Sequence, residues 1–315
     1  MTALKTTADV GRVSGTAERT APRRRGHSVG RSLWWFVVPA VVLYLLVVVV
    51  PTIQGGYMSF TDWSSYSETR NFVGFRNYVR ILQGDAEGAF IRTLVLAIVI
   101  VVIENVLGLL LAILLNGKIV GRNVLRTIIF APMVVSPLVV GYLFKYIFGP
   151  PDDGALNILF HNLGLPQVDF LGTPSIALWV IAVVVIWQFT GSAMVIYLAG
   201  LQGIPAELTE AASLDGAGSW KRFWNITRPL LAPAFTINLM LGLIGGLKLF
   251  DQVFSTTGGG PAGQTKTISV LIYELFSQFG FYGQSAAMAV LLAVAVALLS
   301  LVQFAILRRQ ERRSS

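Results

Sequence analysis

The sequence predicts an all-α, polytopic membrane protein of about six transmembrane helices, and three observations carry that prediction. Of the 315 residues, 54% are hydrophobic and only 13% are charged, against roughly 25% charged in soluble domains. Apolar runs recur at the length of about 20 residues that a helix needs to cross a bilayer core. Basic residues gather in alternate loops between those runs, the pattern that fixes orientation in a membrane.

The apolar runs cover roughly residues 33–53, 90–115, 124–148, 176–200, 230–254 and 284–307. Ahead of them, residues 1–30 are rich in Arg, Thr, Ser and Gly, with almost no apolar clustering. This composition predicts a disordered basic tail, with Arg23, Arg24 and Arg25 placed to meet anionic lipid. The first run is long and lacks a small-residue cleavage site before Pro51, so it reads as a retained helix rather than a secretory signal. Lys118, Arg122 and Arg126 follow the second run, and Lys221, Arg222 and Arg228 follow the fourth. Arg308, Arg309, Arg312 and Arg313 close the chain, whereas the opposite loops hold Arg70, Arg76, Arg80 and Lys266. The bias predicts cytoplasmic termini, with 31–308 as the membrane domain, 309–315 as a short cytoplasmic tail, and His161 and Lys266 outside. An even number of spans agrees.

Composition also excludes chemistry. There is no cysteine and there are only two histidines, His27 and His161, so thiolate sites and histidine clusters have no material, and no metal or cofactor is expected. The net charge of +8 is accounted for by basic residues beside apolar runs, which leaves no case for nucleic acid. Gly258 to Thr267 imitates a phosphate loop, but Gln264 stands where the lysine must directly follow the last glycine. The chain is therefore expected not to be an enzyme and not to hydrolyse ATP.

The most informative segment is the predicted cytoplasmic loop 203–230. Pro205 suits a first helical position, and Ala206 to Leu214 are mostly good helix formers. Asp215-Gly216 reads as a stop. Ser219 is placed to cap a second helix, with Trp220, Phe223, Trp224 and Ile226 near one face. Such a helix pair suits an interfacial anchor. The small residues Ala211 and Ala212 beside Glu210 suit insertion into a protein cleft that offers a basic partner.

Glu210-Ala211-Ala212, Asp215-Gly216-Ala217, then Phe223, Ile226, Pro229 and Pro233 resemble the EAA loop of binding-protein-dependent ATP-binding-cassette (ABC) importer permeases. Further pieces resemble the carbohydrate-uptake branch, and within it the larger maltose-system or glycerol-phosphate-system subunit. They are Phe72-Val-Gly-Phe-Arg-Asn-Tyr78, Pro132 with Ser136-Pro137, Gly154-Ala-Leu-Asn157, and Phe250-Asp251 through Thr257-Gly-Gly-Gly-Pro261. The resemblance covers roughly residues 34–308. It implies the type I importer permease fold in a prokaryotic cell membrane, with Glu210, Ala211, Ala212, Asp215, Gly216 and Ala217 docking on an ATPase. It also implies a second permease subunit, two copies of a separate cytoplasmic ATPase, and an extracellular or periplasmic solute-binding protein that delivers a sugar. The second outer loop lacks the long insert of the maltose-system subunit, so maltose itself does not carry over.

Polar and small residues inside the fourth and fifth runs are candidates for the translocation path: Trp187, Gln188, Gly191, Asn238, Gly242 and Gly246. Each also admits a packing role, since polar side chains at membrane depth bond neighbouring helices and Gly242–Gly246 is a close-packing spacing. Glu104 reads as a structural carboxylate that bonds the neighbourhood of Asn105 or a partner subunit, with a proton or cation relay as the alternative. Lys248 and Asp251 are expected to pair near the outer mouth. The alternatives are a glycerol-phosphate or other non-sugar importer, and an ion-coupled secondary transporter. Against the latter, the sequence holds no internal repeat.

Overall fold

A computed structural model describes residues 29–117 and 119–314, with side chains from 35 to 307 apart from 118. Residues 1–28 of the expected basic tail thus lie outside the described residues, and helix already begins at Val29. Among the described residues regular structure is helical throughout, with only the isolated bridges Thr61–Phe72 and Ser64–Ser67.

The chain divides into two units, Met1–Thr52 and Ile53–Ser315. The first holds α1 (Val29–Tyr44), a π turn over Leu45–Val49 and the start of α2 (Val50–Met58). Pro51 has no N–H to offer the carbonyl one turn back. The helix widens into the π turn just ahead of it, where the Val50 N–H reaches Leu45 O. Trp35–Met58 is nonetheless one apolar helix of 24 residues.

The second unit begins with α3 (Arg76–Leu82) and the 31-residue α4 (Ala86–Asn116). Then come α5 (Arg122–Val134), α6 (Pro137–Ile147), α7 (Ala155–Asn162) and the 29-residue α8 (Pro174–Gln202). The loop helices are α9 (Ala206–Leu214), α10 (Ser219–Arg222) and α11 (Arg228–Leu230), the last two joined through a π turn at Phe223–Thr227. The chain finishes with α12 (Ala232–Leu247), α13 (Asp251–Thr256), α14 (Ile268–Tyr273) and α15 (Tyr282–Ser314).

The six expected runs resolve into four straight helices and two broken ones. The third run bends by 97° between α5 and α6, and the fifth bends by 68° between Ser219–Leu230 and Ala232–Leu247. Proline sets the first break. The residue before a proline is pushed out of the helical region, and Ser136 accordingly takes ψ 132° while Pro137 opens α6. The fifth run is also shorter than expected. It ends at Leu247, and residues 251–254 belong instead to the separate helix α13.

Helices α4 and α8 form the central pair. Helix α12 packs on α4, α5 on α8, α13 on α6, and α15 on α12, α14 and α3. Three apolar clusters mark successive levels. One joins Ile81, Ala89, Ile268 and Met288, the next Leu96, Ile100, Val185 and Val253, and the last Ala112, Met194, Tyr197 and Leu231. The loop 203–230 adjoins that last cluster, whereas Lys266 lies at the opposite end, where its carbonyl accepts from Arg92 Nε at 3.1 Å.

Candidate functional site

The break in the third run and the C-terminal end of α12 border a cleft of about 340 Å³. Its walls come from α4 (Ile100, Glu104), α5 and α6 (Met133, Pro137), α8 (Val185, Phe189, Ser192) and α12 (Asn238, Gly242, Gly245, Gly246). Lys248, Asp251 and Gln252 close one end. Small residues make this room and hold the walls together at once. A Cβ on Gly246 would meet the Ala97 Cα at 2.7 Å, and one on Gly242 would meet Val101 Cγ2 at 3.0 Å. These two glycines therefore bring α12 onto α4, while Gly245 has nothing within 4 Å and faces open space.

The structure brings three of the six path candidates to this cleft: Asn238, Gly242 and Gly246. The other three sit elsewhere on α8. Gln188 is fully buried, and its amide donates to Val135 O at 3.0 Å while its Oε1 accepts from Gln252 Nε2 at 2.8 Å. Val135 is the residue at which the third run breaks, so Gln188 supplies the hydrogen bond that the broken helix lost. Backbone at membrane depth requires such a partner. Gly191 lies where α8 crosses α5, and a Cβ there would collide with the backbone of Ile129 and Phe130. Trp187 packs edge-on against Phe144 at 5.0 Å and keeps about 45% of its surface exposed, away from the cleft. Asn238, though it lines the cleft, is itself buried and donates to Ala193 O at 3.2 Å.

Two titratable expectations come out differently. Lys248 and Asp251 both line the cleft but do not pair, because α12 ends at Leu247 and the helix register that would align them is interrupted. The ion pair recorded among the described residues is Lys266 with Glu274, at 2.7 Å. Glu104 does not bond the neighbourhood of Asn105. Asn105 is occupied by Tyr197, whose hydroxyl donates to its Oδ1 at 2.6 Å.

The loop 203–230 folds as two helices joined by a tight stop. Asp215 ends α9, and Gly216 follows in the left-handed region at φ 76°. The Ala217 N–H reaches Ala212 O at 2.9 Å and the Gly216 N–H reaches Ser213 O at 3.1 Å, the paired bonds of a Schellman motif. Capping differs from expectation at both starts. Pro205 precedes α9 instead of opening it, and Gly218 rather than Ser219 precedes α10. Arg222 ties the pair together, donating to Ser213 Oγ and, at 3.3 Å, to Ser219 Oγ. Glu210, Ala211, Asp215 and Gly216 are exposed, and Ala212 and Ala217 are half-buried. Leu214 and Trp220 project openly, at 90% and 75% exposure. Trp224 stacks under Arg228, with the guanidinium 4.9 Å from its ring.

At the far end, two asparagines from the sequence motifs fasten irregular backbone. Asn77 donates to Ser59 O and Thr61 O at 2.8 and 2.7 Å. Asn157 donates to Gly149 O and Val168 O and accepts from the Val168 N–H. Asp62 accepts from the Asn71 N–H at 2.7 Å and its side-chain amide at 3.2 Å. The backbone bond, then the side-chain bond, holds its carboxyl below the ordinary value of 3.8.

Long apolar helices around a cleft beside a broken span, with a helix pair presented at one end, define a polytopic transport subunit. Residues 104–315 match the binding-protein-dependent transport system inner membrane component family, and the chain belongs to that family. It is 35% identical over 285 residues to the multiple sugar-binding transport system permease protein of Streptococcus mutans, covering 88% of this chain and 96% of that one. It is 34% identical over 262 residues to the trehalose/maltose transport system permease protein of Thermococcus litoralis, covering 82% and 88%. Among solved structures it resembles a bacterial ABC transporter involved in import of the acidic polysaccharide alginate. The TM-score is 0.79 at 25% identity, over 89% of this chain and 96% of that one. The chain is accordingly an ABC importer permease with that all-α fold.

Proposed function

We propose that this permease passes a carbohydrate or related polyol across the cell membrane of a prokaryote. It does so as one of two different permease subunits, coupled to two copies of a separate cytoplasmic ATPase chain and fed by an extracellular or periplasmic solute-binding protein. The observation that carries the coupling is the presented helix pair at 203–230. An ATPase groove that receives it would meet exposed Glu210 and Leu214 on one helix and Trp220 on the next. Sugar cargo is supported by the relatives that transport sugars and by the small and polar cleft wall of Ser192, Asn238, Gly242 and Gly246. Trp187, with its open aromatic face, is assigned to the surface that meets the second permease subunit, and Gln188 and Gly191 to holding the wall in shape. The basic bias in the loops supports cytoplasmic termini, with 203–230 on the same side.

The test is reconstitution of the complete complex in liposomes with ATP, offering labelled maltose, trehalose and maltotriose. ATP-dependent accumulation of at least one, strictly requiring the binding protein, is expected. Accumulation driven by an ion gradient without ATP would overturn the reading.

A further inference from the structure

The cleft holds a buried carboxyl group with no partner among the described residues. Glu104 sits midway along α4 with about 9% of its surface exposed, and it lines the cleft. It has no hydrogen bond or ion pair among the described residues. The donors nearby are committed elsewhere. The Tyr197 hydroxyl serves Asn105, and the Asn238 amide serves Ala193 O. Lys248, the cation in the cleft wall, stands at the end where α12 stops, exposed and unpaired with Glu104. An isolated carboxylate at membrane depth is costly, and the fold retains it facing the cleft.

We propose that Glu104 is a cargo-contacting, specificity-determining residue, accepting hydrogen bonds from hydroxyls of a neutral saccharide and disfavouring anionic ones. The inference rests on the reading that a saccharide crosses through this cleft. In its charged form the Glu104 carboxyl is purely an acceptor with room for two donors, and adjacent hydroxyls of a sugar ring match that demand. Bonds to a charged acceptor are among the stronger ones. A uronate would instead bring a further negative charge into a cleft lined by two carboxyl groups, Glu104 and Asp251, against one cation, Lys248 at its end, and beside Glu104 like charges repel.

The experiment uses the complete reconstituted complex and the neutral sugar from the panel above that it imports best. Wild type, Glu104→Gln and Glu104→Leu are compared for import KM and maximal rate, for co-purification of all subunits, and for basal ATPase activity. Glucuronate-terminated disaccharide of matched size is offered as competitor. Loss of one charge-assisted bond predicts a rise in KM of about 10- to 100-fold in Glu104→Gln, with assembly and basal ATPase activity unchanged. The same variant is expected to be inhibited more strongly by the uronate than wild type is. Glu104→Leu should import still less. Wild-type KM and wild-type competitor sensitivity in an assembled Glu104→Gln complex would overturn the proposal while leaving sugar import standing. So would failed assembly of Glu104→Leu beside normal import by Glu104→Gln, since that result marks a structural carboxylate. If wild type imports none of the sugars, the functional reading fails and this inference fails with it.

Discussion

Gly216 occupies a conformation that costs an L-residue roughly 1–2 kcal/mol, and its N–H holds one of the two bonds that stop α9. Gly216→Ala should therefore lower loop stability by about that amount and leave partial transport. Gly216→Pro cannot take φ 76° and loses the donor, so transport should be abolished while the protein still inserts. Membrane fractionation beside an uptake assay separates these outcomes. Glu210→Lys should uncouple in the same way, because a lysine at this exposed position would meet a basic groove as a like charge. Gln188 behaves differently. Gln188→Leu strands the Val135 carbonyl, and a stranded buried polar group costs about 1–3 kcal/mol. The expected readout is a lowered melting temperature of the detergent-purified complex, with KM unchanged in what assembles. For Asp62 the bonds from Asn71 favour the charged form, so their contribution is present at neutral pH. It should be lost only as pH falls below the ordinary 3.8 toward the lowered folded value. Limited proteolysis of the 60–80 segment at decreasing pH would reveal the loss, and Asp62→Asn should show it already at pH 7. At this scale the sequence revealed which residues are unusual but not what they touch. Gln188 reads as a polar intrusion and Asn157 as part of a family-like motif, and only tertiary structure discloses that each answers irregular backbone outside its own helix.

At the scale of elements, the straight helices were legible because 20 apolar residues have one physical solution in a bilayer. The breaks were half legible. Pro132, Ser136 and Pro137 stood out in the sequence, yet a proline within an apolar run is compatible with a gentle kink or a full bend. The 97° turn is set by what packs around it, chiefly α8 and α13. The end of the fifth run at Leu247 left no signal, since Lys248 alone does not stop a helix. The crossings that hold these elements depend on missing side chains. Gly246→Leu should force α12 off α4, where the added side chain would meet the Ala97 backbone. Overpacking of this kind costs about 1–3 kcal/mol or more. Loss of folded protein from a membrane extract, measured by size-exclusion chromatography, checks it. Gly245→Ala, placed in open space, should fold normally and serves as the control.

For the whole molecule, the absence of native cysteine makes topology directly measurable. Single cysteines at 161 and 266 should react with an impermeant maleimide in intact cells, and one at 221 only after lysis. Reaction at 221 in intact cells would invert the orientation. The purified chain alone should show no ATPase activity above background, as no phosphate loop is present.

The tie between Gln188, Val135 and Gln252 also has a bearing on biosynthesis. The ribosome delivers the broken third run before residue 188 exists, and well before residue 252. Until residue 188 arrives, Val135 presents a bare carbonyl at membrane depth, and until residue 252 arrives Gln188 itself lacks the donor that fastens it. The run must then wait as an extended helix or at the wall of the translocon, and its final shape is a late event. A chain truncated after about residue 170 is therefore expected to be taken up by membrane quality-control proteases far faster than one truncated after α13. Pulse-chase turnover of the two nascent forms would register that difference.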